Sequence, residues 1–252
     1  MGYPRSGHTL VGFLLDAHPN IIVANQTSAL KWAKHGFAKR QIFHLLLENS
    51  RKVALVGRQR KRYSYEVPGQ WQGRFERLRV IGDSTGLTRL RRQPDLLYVL
   101  QKRLDGVKIR LIHCIRNPYD NISTMTMRRN NPPLPEAIET YFSMCEEVQE
   151  IQNRVEPAAI HVVRHEELIA DPKATLRELL AFLALTADES YYADCASIIY
   201  KSPHKSRFEV PWSQELVDLV KRRMERFDYL DGYSYNDDGT NNDSSARIAP
   251  LS

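Results

Sequence analysis

The chain has 252 residues, 42% of them hydrophobic, with 36 Lys+Arg against 30 Asp+Glu and a formal net charge of +6. This suits a single α/β domain with a substantial core, and no run reaches the ~20 apolar residues of a membrane-spanning helix. Cys114, Cys145 and Cys195 are too few and too far apart for a disulfide framework or a metal cluster. With no signal-peptide pattern at the start, the sequence reads as a reduced, cytoplasmic protein.

The first element is a turn, Gly2-Tyr3-Pro4-Arg5-Ser6-Gly7-His8-Thr9, running into the apolar helical stretch Leu10–Leu15. The first N–H groups of a helix have no intrahelical partner and sit at its positive end, which makes an anion site. Arg5 adds a guanidinium fork, and Ser6 and Thr9 add hydroxyl donors. A turn that only caps the helix is the competing reading. The loop is not a Walker A motif, because the lysine of G-x-x-x-x-G-K-[ST] is missing.

Asp16-Ala17-His18-Pro19 ends that helix. Helices are then expected over 29–38 and 40–49, followed by a basic run between Arg51 and Arg92 that includes Arg58, Arg74, Arg77 and Arg89. Such a run reads as a solvated face or as a field that gathers anions. Nucleic acid is disfavoured, since no aromatic-interleaved basic strand, zinc spacing or recognition helix accompanies it. Residues 62–75, with Tyr63, Tyr65 and Trp71, read as an aromatic hairpin or ordered loop, and 79–83 as a buried strand ending at Asp83. A helix over 95–104 precedes a strand over 107–115, which turns at Arg116-Asn117-Pro118 into a helix carrying Ser123 and Thr124. Next come a helix over 134–155, a strand over 158–164, Arg164-His165-Glu166-Glu167-Leu168, Asp171-Pro172 and a helix over 172–183. Lys205-Ser206-Arg207 forms a late turn before a helix over 214–227. Residues 1–235 read as one domain and 236–252 as a disordered polar tail. Strands alternating with helices imply a parallel sheet covered on both faces.

Three blocks in this order resemble the superfamily of sulfotransferases that use 3′-phosphoadenosine-5′-phosphosulfate (PAPS). Pro4-Arg5-Ser6-Gly7-His8-Thr9 is similar to its 5′-phosphosulfate loop. Arg116 with Ser123 and Thr124 is similar to its 3′-phosphate site, the spacing favouring Thr124. Arg164-His165-Glu166-Glu167-Leu168 with Asp171-Pro172 is similar to its R-Y-E-D-L…D-P segment. Asp16-Ala17-His18-Pro19 most resembles tyrosylprotein and bacterial single-domain members. The resemblance implies an α/β fold, a P-loop-containing parallel sheet flanked by helices on both faces. It also implies PAPS as sulfuryl donor, no metal, and a hydroxyl or amine acceptor. Arg5 would neutralise the leaving phosphate, and the amides of Ser6, Gly7, His8 and Thr9 would cradle it. His165 would lie against adenine or at the surface, and Lys205, Ser206 and Arg207 would close over the 3′-phosphate.

The chain departs from the family pattern at three places. Gln26 stands where tyrosylprotein-type members carry a glutamate base, and Ser84 where relatives tend to carry a lysine. Asp83 is the nearest substitute base, with a turn or helix cap as its other reading, and His8 and His35 are further candidates. Only Met1, Gly2 and Tyr3 precede Pro4, so the strand expected before the loop is read as truncated, at a cost in ladder partners and solubility. The missing charges allow a second reading, a non-catalytic nucleotide-binding relative. A P-loop kinase fits less well, lacking the lysine and a Mg²⁺-holding acidic strand. The acceptor is left open among carbohydrate, peptide tyrosine, lipid and small alcohol, with Tyr63, Tyr65, Trp71 and Trp212 as candidate lining residues or core.

Overall fold

Along every parallel strand, successive side chains enter different cores, as the period-2 geometry of a strand requires. In the computed structural model, which describes residues 1–27, 29–57, 59–60, 63–85, 96–127 and 132–237, β1 (Ile21–Asn25) pairs in parallel with β4 (Val80–Ser84). β5 (Leu111–Ile115) pairs in parallel with β6 (Ile160–Arg164). Ile21, Val23, Val80, Ile112, Cys114 and Val163 all point to one core, filled from α1 (His8–Asp16), α8 (Pro172–Phe182) and α9 (Glu189–Ser197). Ala24 and Ile81 point the other way, to α2 (Ala29–Lys34), α3 (Lys39–Val56) and α4 (Leu96–Arg103). Ile115 and Val162 also point that way, to a third core with Tyr3, α5 (Pro118–Thr126), α6 (Leu134–Gln152) and α10 (Gln214–Met224). Helices thus cover both faces, as the α/β reading requires. Cys195 shares the first core with Cys114, and Cys145 lies in the third.

The sheet is divided. Among the described residues the parallel strands form two separate pairs, β1–β4 and β5–β6, and a short antiparallel ladder joins β2 (Gln59–Arg60) to β3 (Tyr63–Ser64). Met1 to Tyr3 meet β5 at a single parallel bridge, Gly2 to Cys114. β4, read from sequence as buried, is partly exposed over Val80–Asp83, because it has a strand neighbour on one edge only. β1 is fully buried at four of its five positions and was not read at all. Its signal was Ile21-Ile22-Val23-Ala24, an apolar run bounded by Pro19-Asn20 and Asn25. α3 runs to Val56, past the expected end at 49, and α7 (His165–Ala170) follows β6 directly.

The Asp16-Ala17-His18-Pro19 segment is a buried polar knot. Asp16 accepts hydrogen bonds from the Val23 amide (2.7 Å), the Ser50 hydroxyl (2.8 Å) and the Gly73 amide (3.1 Å). His18 Nδ1 accepts from the Asn20 amide, so its Nε2 donates to the Thr186 carbonyl. A buried carboxylate is tolerated when its lone pairs are satisfied in this way. No helix among the described residues is long and apolar enough to cross a membrane. Most of the polar tail, and Arg58, Arg60, Lys61, Arg62, Arg89, Arg91 and Arg92 of the basic run, lie outside the described residues or their described side chains.

Candidate active site

The turn before α1 holds two residues in the left-handed region, Arg5 (φ 69°) and Gly7 (φ 88°). An arginine there is uncommon and strained, a feature concentrated at functional sites. Gly7 is required on two counts. Its φ suits glycine, and a Cβ at this position would come within 2.8 Å of His165 Cδ2. The Ser6 amide is spent inside the turn on the Tyr3 carbonyl (3.1 Å). The amides of Gly7, His8 and Thr9 are therefore the ones that open the helix. The Asn121 side chain on α5 donates to the Pro4 carbonyl and ties the turn to the next element.

That element begins with a well-built cap. Asn117 accepts from the Tyr119 amide (3.0 Å), with Pro118 at the first helical position. Glu166 reaches across from α7 to accept from the Asn117 amide (2.9 Å) and the Tyr233 hydroxyl (2.8 Å). The Glu166 carboxyl is raised by burial, and these hydrogen bonds pull it back down. Arg164 donates to the Tyr229 and Asp231 carbonyls and lies over the Tyr233 ring. The Arg164-His165-Glu166 segment thus fastens the end of β6 to the start of α5.

Arg116 stands at the end of β5, only 5% exposed. It donates to the His204 carbonyl, its Nη2 lies 4.0 Å from Asp120 Oδ2, and its buried Nε has no partner among the described residues. Burial lowers its pKa first, opposed by Asp120 and Glu166, and the charges of Arg5 and Arg207 lower it further. Three guanidiniums therefore share one local field. His165 is half-buried beside Arg116; burial first, and the Arg116 charge second, hold its imidazole down at about 4, and its Nδ1 has no partner among the described residues. It is a neutral ring at physiological pH.

The late turn folds onto α5. Thr124 Oγ1 donates to the Asp120 carbonyl (2.8 Å) and meets Ser206 Oγ at 3.2 Å. Thr124 and Ser206 are thus brought together beside Arg116. Ser123 is turned away, its hydroxyl accepting from Trp212 Nε1 (2.9 Å). Arg207 is almost wholly buried, with its Nη1 donating to Asp120 at 2.7 Å and its Nη2 to the Asp237 carbonyl. It therefore joins the site as part of an internal ion pair, while Lys205 stays partly exposed beside it.

Asp83 has an assigned partner on each oxygen, the Thr27 amide (3.1 Å) and the Ala29 amide (2.9 Å). These bonds at the start of α2 are those that its capping reading calls for. Ser84 donates to the His8 carbonyl (3.1 Å), linking β4 to the first turn of α1. Gln26, with φ 55°, donates its amide to the Ser84 carbonyl (2.9 Å), so it belongs to the same corner. His8 Nδ1 lies 3.5 Å from Ser6 Oγ, and His35, just past the end of α2, has its ring held by the Lys31 carbonyl. The aromatic candidates do not converge. Tyr63 and Tyr65 pack on the α1 core, and Trp212 packs on Tyr119 and Tyr235. Sequence reasoning missed Asp120, Asn121 and the Glu166–Tyr233 pair. The signal for Asp120 was a carboxylate one helical turn after Arg116.

Comparison with known proteins draws on the same elements. The Sulfotransferase family (Sulfotransfer_3) model matches residues 108–189, from the approach to β5 through the start of α9. Solved structures share the fold. The sulfotransferase domain of the Synechococcus PCC 7002 olefin synthase superposes with TM-score 0.57 at 17% identity, over 90% of this chain and 92% of that one. The chain thus carries a segment similar to the sulfotransferase family and shares its fold with solved sulfotransferase domains. The sulfotransferase domain from the curacin biosynthetic pathway gives TM-score 0.52 at 14% identity, over 89% of this chain and 94% of that one. A sulfotransferase from Mycobacterium avium gives TM-score 0.51 at 13% identity, over 90% and 76%. No curated protein sequence matches the chain. At these identities the structures speak for the fold. The sulfotransferase-family segment contains Arg116, Thr124, Asp120 and the His165–Glu166 corner, but not the loop at Arg5.

Proposed function

We propose that the chain binds PAPS and moves its sulfuryl group to a hydroxyl or amine acceptor. The observation that carries this reading is the Arg116 corner. A buried guanidinium keeps its Nε unpartnered and feels the charges of Arg5 and Arg207. A bound polyanion relieves that like-charge strain and satisfies the orphan donor. Arg116 with Thr124 and Ser206 forms the seat for one phosphate. Arg5 with the amides of Gly7, His8 and Thr9 forms the seat for the other. The neutral His165 ring, over Gly7 and beside Arg116, lies between them and offers Nδ1 to the nucleotide.

Sulfuryl transfer builds negative charge on the leaving phosphate, and fixed positive donors there supply the main stabilisation. In this reading Arg5 and the α1 terminus do that work. Gln26 offers an amide that accepts no proton, and Asp83 is engaged by two backbone donors. These two facts favour a second reading, a nucleotide-binding protein with slow or no turnover. Calorimetric titration with 3′,5′-adenosine bisphosphate, with AMP as the comparison, tests the first step. Micromolar binding that collapses without the 3′-phosphate is the expected result, and equal or absent binding by a folded sample rejects both readings. Turnover of PAPS in the presence of acceptor alcohols and phenols then separates the two.

A further inference from the structure

Two turns lie side by side at the end of the sheet where β5 begins, opposite to Arg116. One joins α2 to α3, and the other leaves α4 and leads into β5. Lys39 Nζ donates across them to the Asp105 carbonyl at 2.8 Å, and a Cβ on Gly36 would come 3.7 Å from Arg103 Nη2. Residues 29–40 carry four Lys/Arg and no acidic residue, and residues 98–110 carry four against Asp105 alone. The two stretches thus hold a formal excess of seven positive charges, more than the +6 of the whole chain. Lys31, Lys39, Arg40, Lys102, Arg103 and Lys108 are all exposed, and none is ion-paired among the described residues. Elsewhere on the surface Arg51, Arg177, Arg223 and Arg226 each face a glutamate. Apolar groups are interleaved with these charges. Val107, 37% exposed, precedes Lys108 in its turn, and Tyr98, 66% exposed, stands one helical turn before Lys102. Trp32 and Phe37 are half-buried, rooted in the core between α2, α3 and α4.

We propose that this face docks the protein on a membrane surface rich in anionic phospholipid, as a peripheral contact. Clustered cations repel one another, and a layer of negative headgroups relieves that repulsion over the whole face at once. Five of the eight are lysines, point charges on flexible stems that follow a fluid array of headgroups without fixed geometry. A single phosphate or carboxylate is better met by an arginine fork. The apolar members choose between a bilayer and a dissolved polyanion. Val107 and Tyr98 gain by entering the headgroup boundary, while the lysine stems reach back to the phosphates. A dissolved acidic polymer offers no such apolar layer. The face is distinct from the basic run between Arg51 and Arg92. It is also separate from the Arg116 seat, since Lys108 precedes the first residue of β5 and Arg116 follows the last. Docking here therefore leaves that seat open.

The test is co-sedimentation of the full chain with vesicles of phosphatidylcholine alone, or of phosphatidylcholine with about 30% phosphatidylserine. Binding is expected to the anionic vesicles only, and it should weaken as salt rises. Each cation near such a surface is worth a factor of ~5 in partitioning. Lys102→Gln with Lys108→Gln should therefore lower the partition coefficient ~25-fold. Val107→Ser should lower it several-fold at unchanged charge. In both variants the thermal midpoint and the affinity for 3′,5′-adenosine bisphosphate should stay those of the parent. Equal binding to both vesicle types, or binding to neither, overturns the proposal. So does anionic-vesicle binding that is indifferent to the lysine changes or to the valine change. Binding of heparin or polyglutamate that is lost in the lysine variant, with no vesicle binding, overturns it in favour of a dissolved polyanion.

Discussion

Asp120 and Arg207, separated by 87 positions, form an ion pair of 2.7 Å, each side chain no more than 3% exposed. The same carboxylate accepts the Arg207 amide at 2.9 Å. One aspartate thus pins the late turn to α5, and so brings Ser206 to Thr124. Removing one partner of a buried pair leaves an uncompensated charge, which costs ~3–5 kcal/mol. Asp120→Ala should lower the stability by that order in urea unfolding. The double variant Asp120→Leu with Arg207→Met should recover most of it. A single variant that unfolds at the wild-type midpoint would mean that the pair contributes nothing.

Arg116→Ala should weaken binding of 3′,5′-adenosine bisphosphate by ~10–100-fold, the response to losing one charge-assisted hydrogen bond of ~1.5–3 kcal/mol. Binding of AMP should change far less. Calorimetry on both nucleotides reads the contrast, and equal losses would place Arg116 outside the 3′-phosphate seat.

Gln26→Glu restores a carboxylate at the corner shared by Gln26 and Ser84. General-base help is worth ~10²–10⁴ in rate, so a gain of ~10-fold or more in PAPS turnover is the expected outcome. The nucleotide affinity should stay unchanged. An unaltered rate in a nucleotide-binding protein would favour the reading without catalysis.

Acid should destabilise the fold through two histidines. Burial holds His113 down at about 3, helped by the nearby amino terminus, and His165 at about 4. An unfolded histidine titrates near ~6.5. Below that pH the unfolded chain takes up protons that the folded chain refuses. Their stability contribution is therefore whole above ~6.5 and is lost progressively toward 4 and 3, at about 1.4 kcal/mol per pH unit for each. Glu166, whose carboxyl burial raises, partly offsets the loss because its folded form protonates more readily. His113→Phe keeps a ring between Tyr3 and Tyr229 and removes two unpaired nitrogens. Thermal midpoints between pH 7 and 5 should fall less steeply in that variant than in the parent.

What the sequence disclosed was local chemistry. The Arg5 turn before a helix, the Arg116–Thr124 spacing and the Asp171-Pro172 helix start all read directly, because each depends on neighbours in the chain. Asp171 indeed caps α8, accepting from the Ala174 amide at 3.0 Å. Roles that depend on distant partners did not read. Asp83 is a cap only because Thr27 and Ala29 arrive beside it, and Arg207 is paired only because its turn lands on Asp120. β1 was overlooked for a third reason: a buried parallel strand is a plain apolar run, without the alternation that marks a half-exposed one. The division of the sheet follows from strand order, which no short window of sequence records.

All three thiols are free and buried, and burial pushes them up to about 11 at Cys114 and about 12 at Cys145 and Cys195. Thiolate is the species that alkylating reagents attack, so in the closed protein these cysteines are silent. They sit in two cores, Cys114 and Cys195 in the one beneath α1 and Cys145 in the one between α5 and α6. The rates at which they are labelled are therefore two clocks, one for the opening of each core, carried by the chain with no added probe.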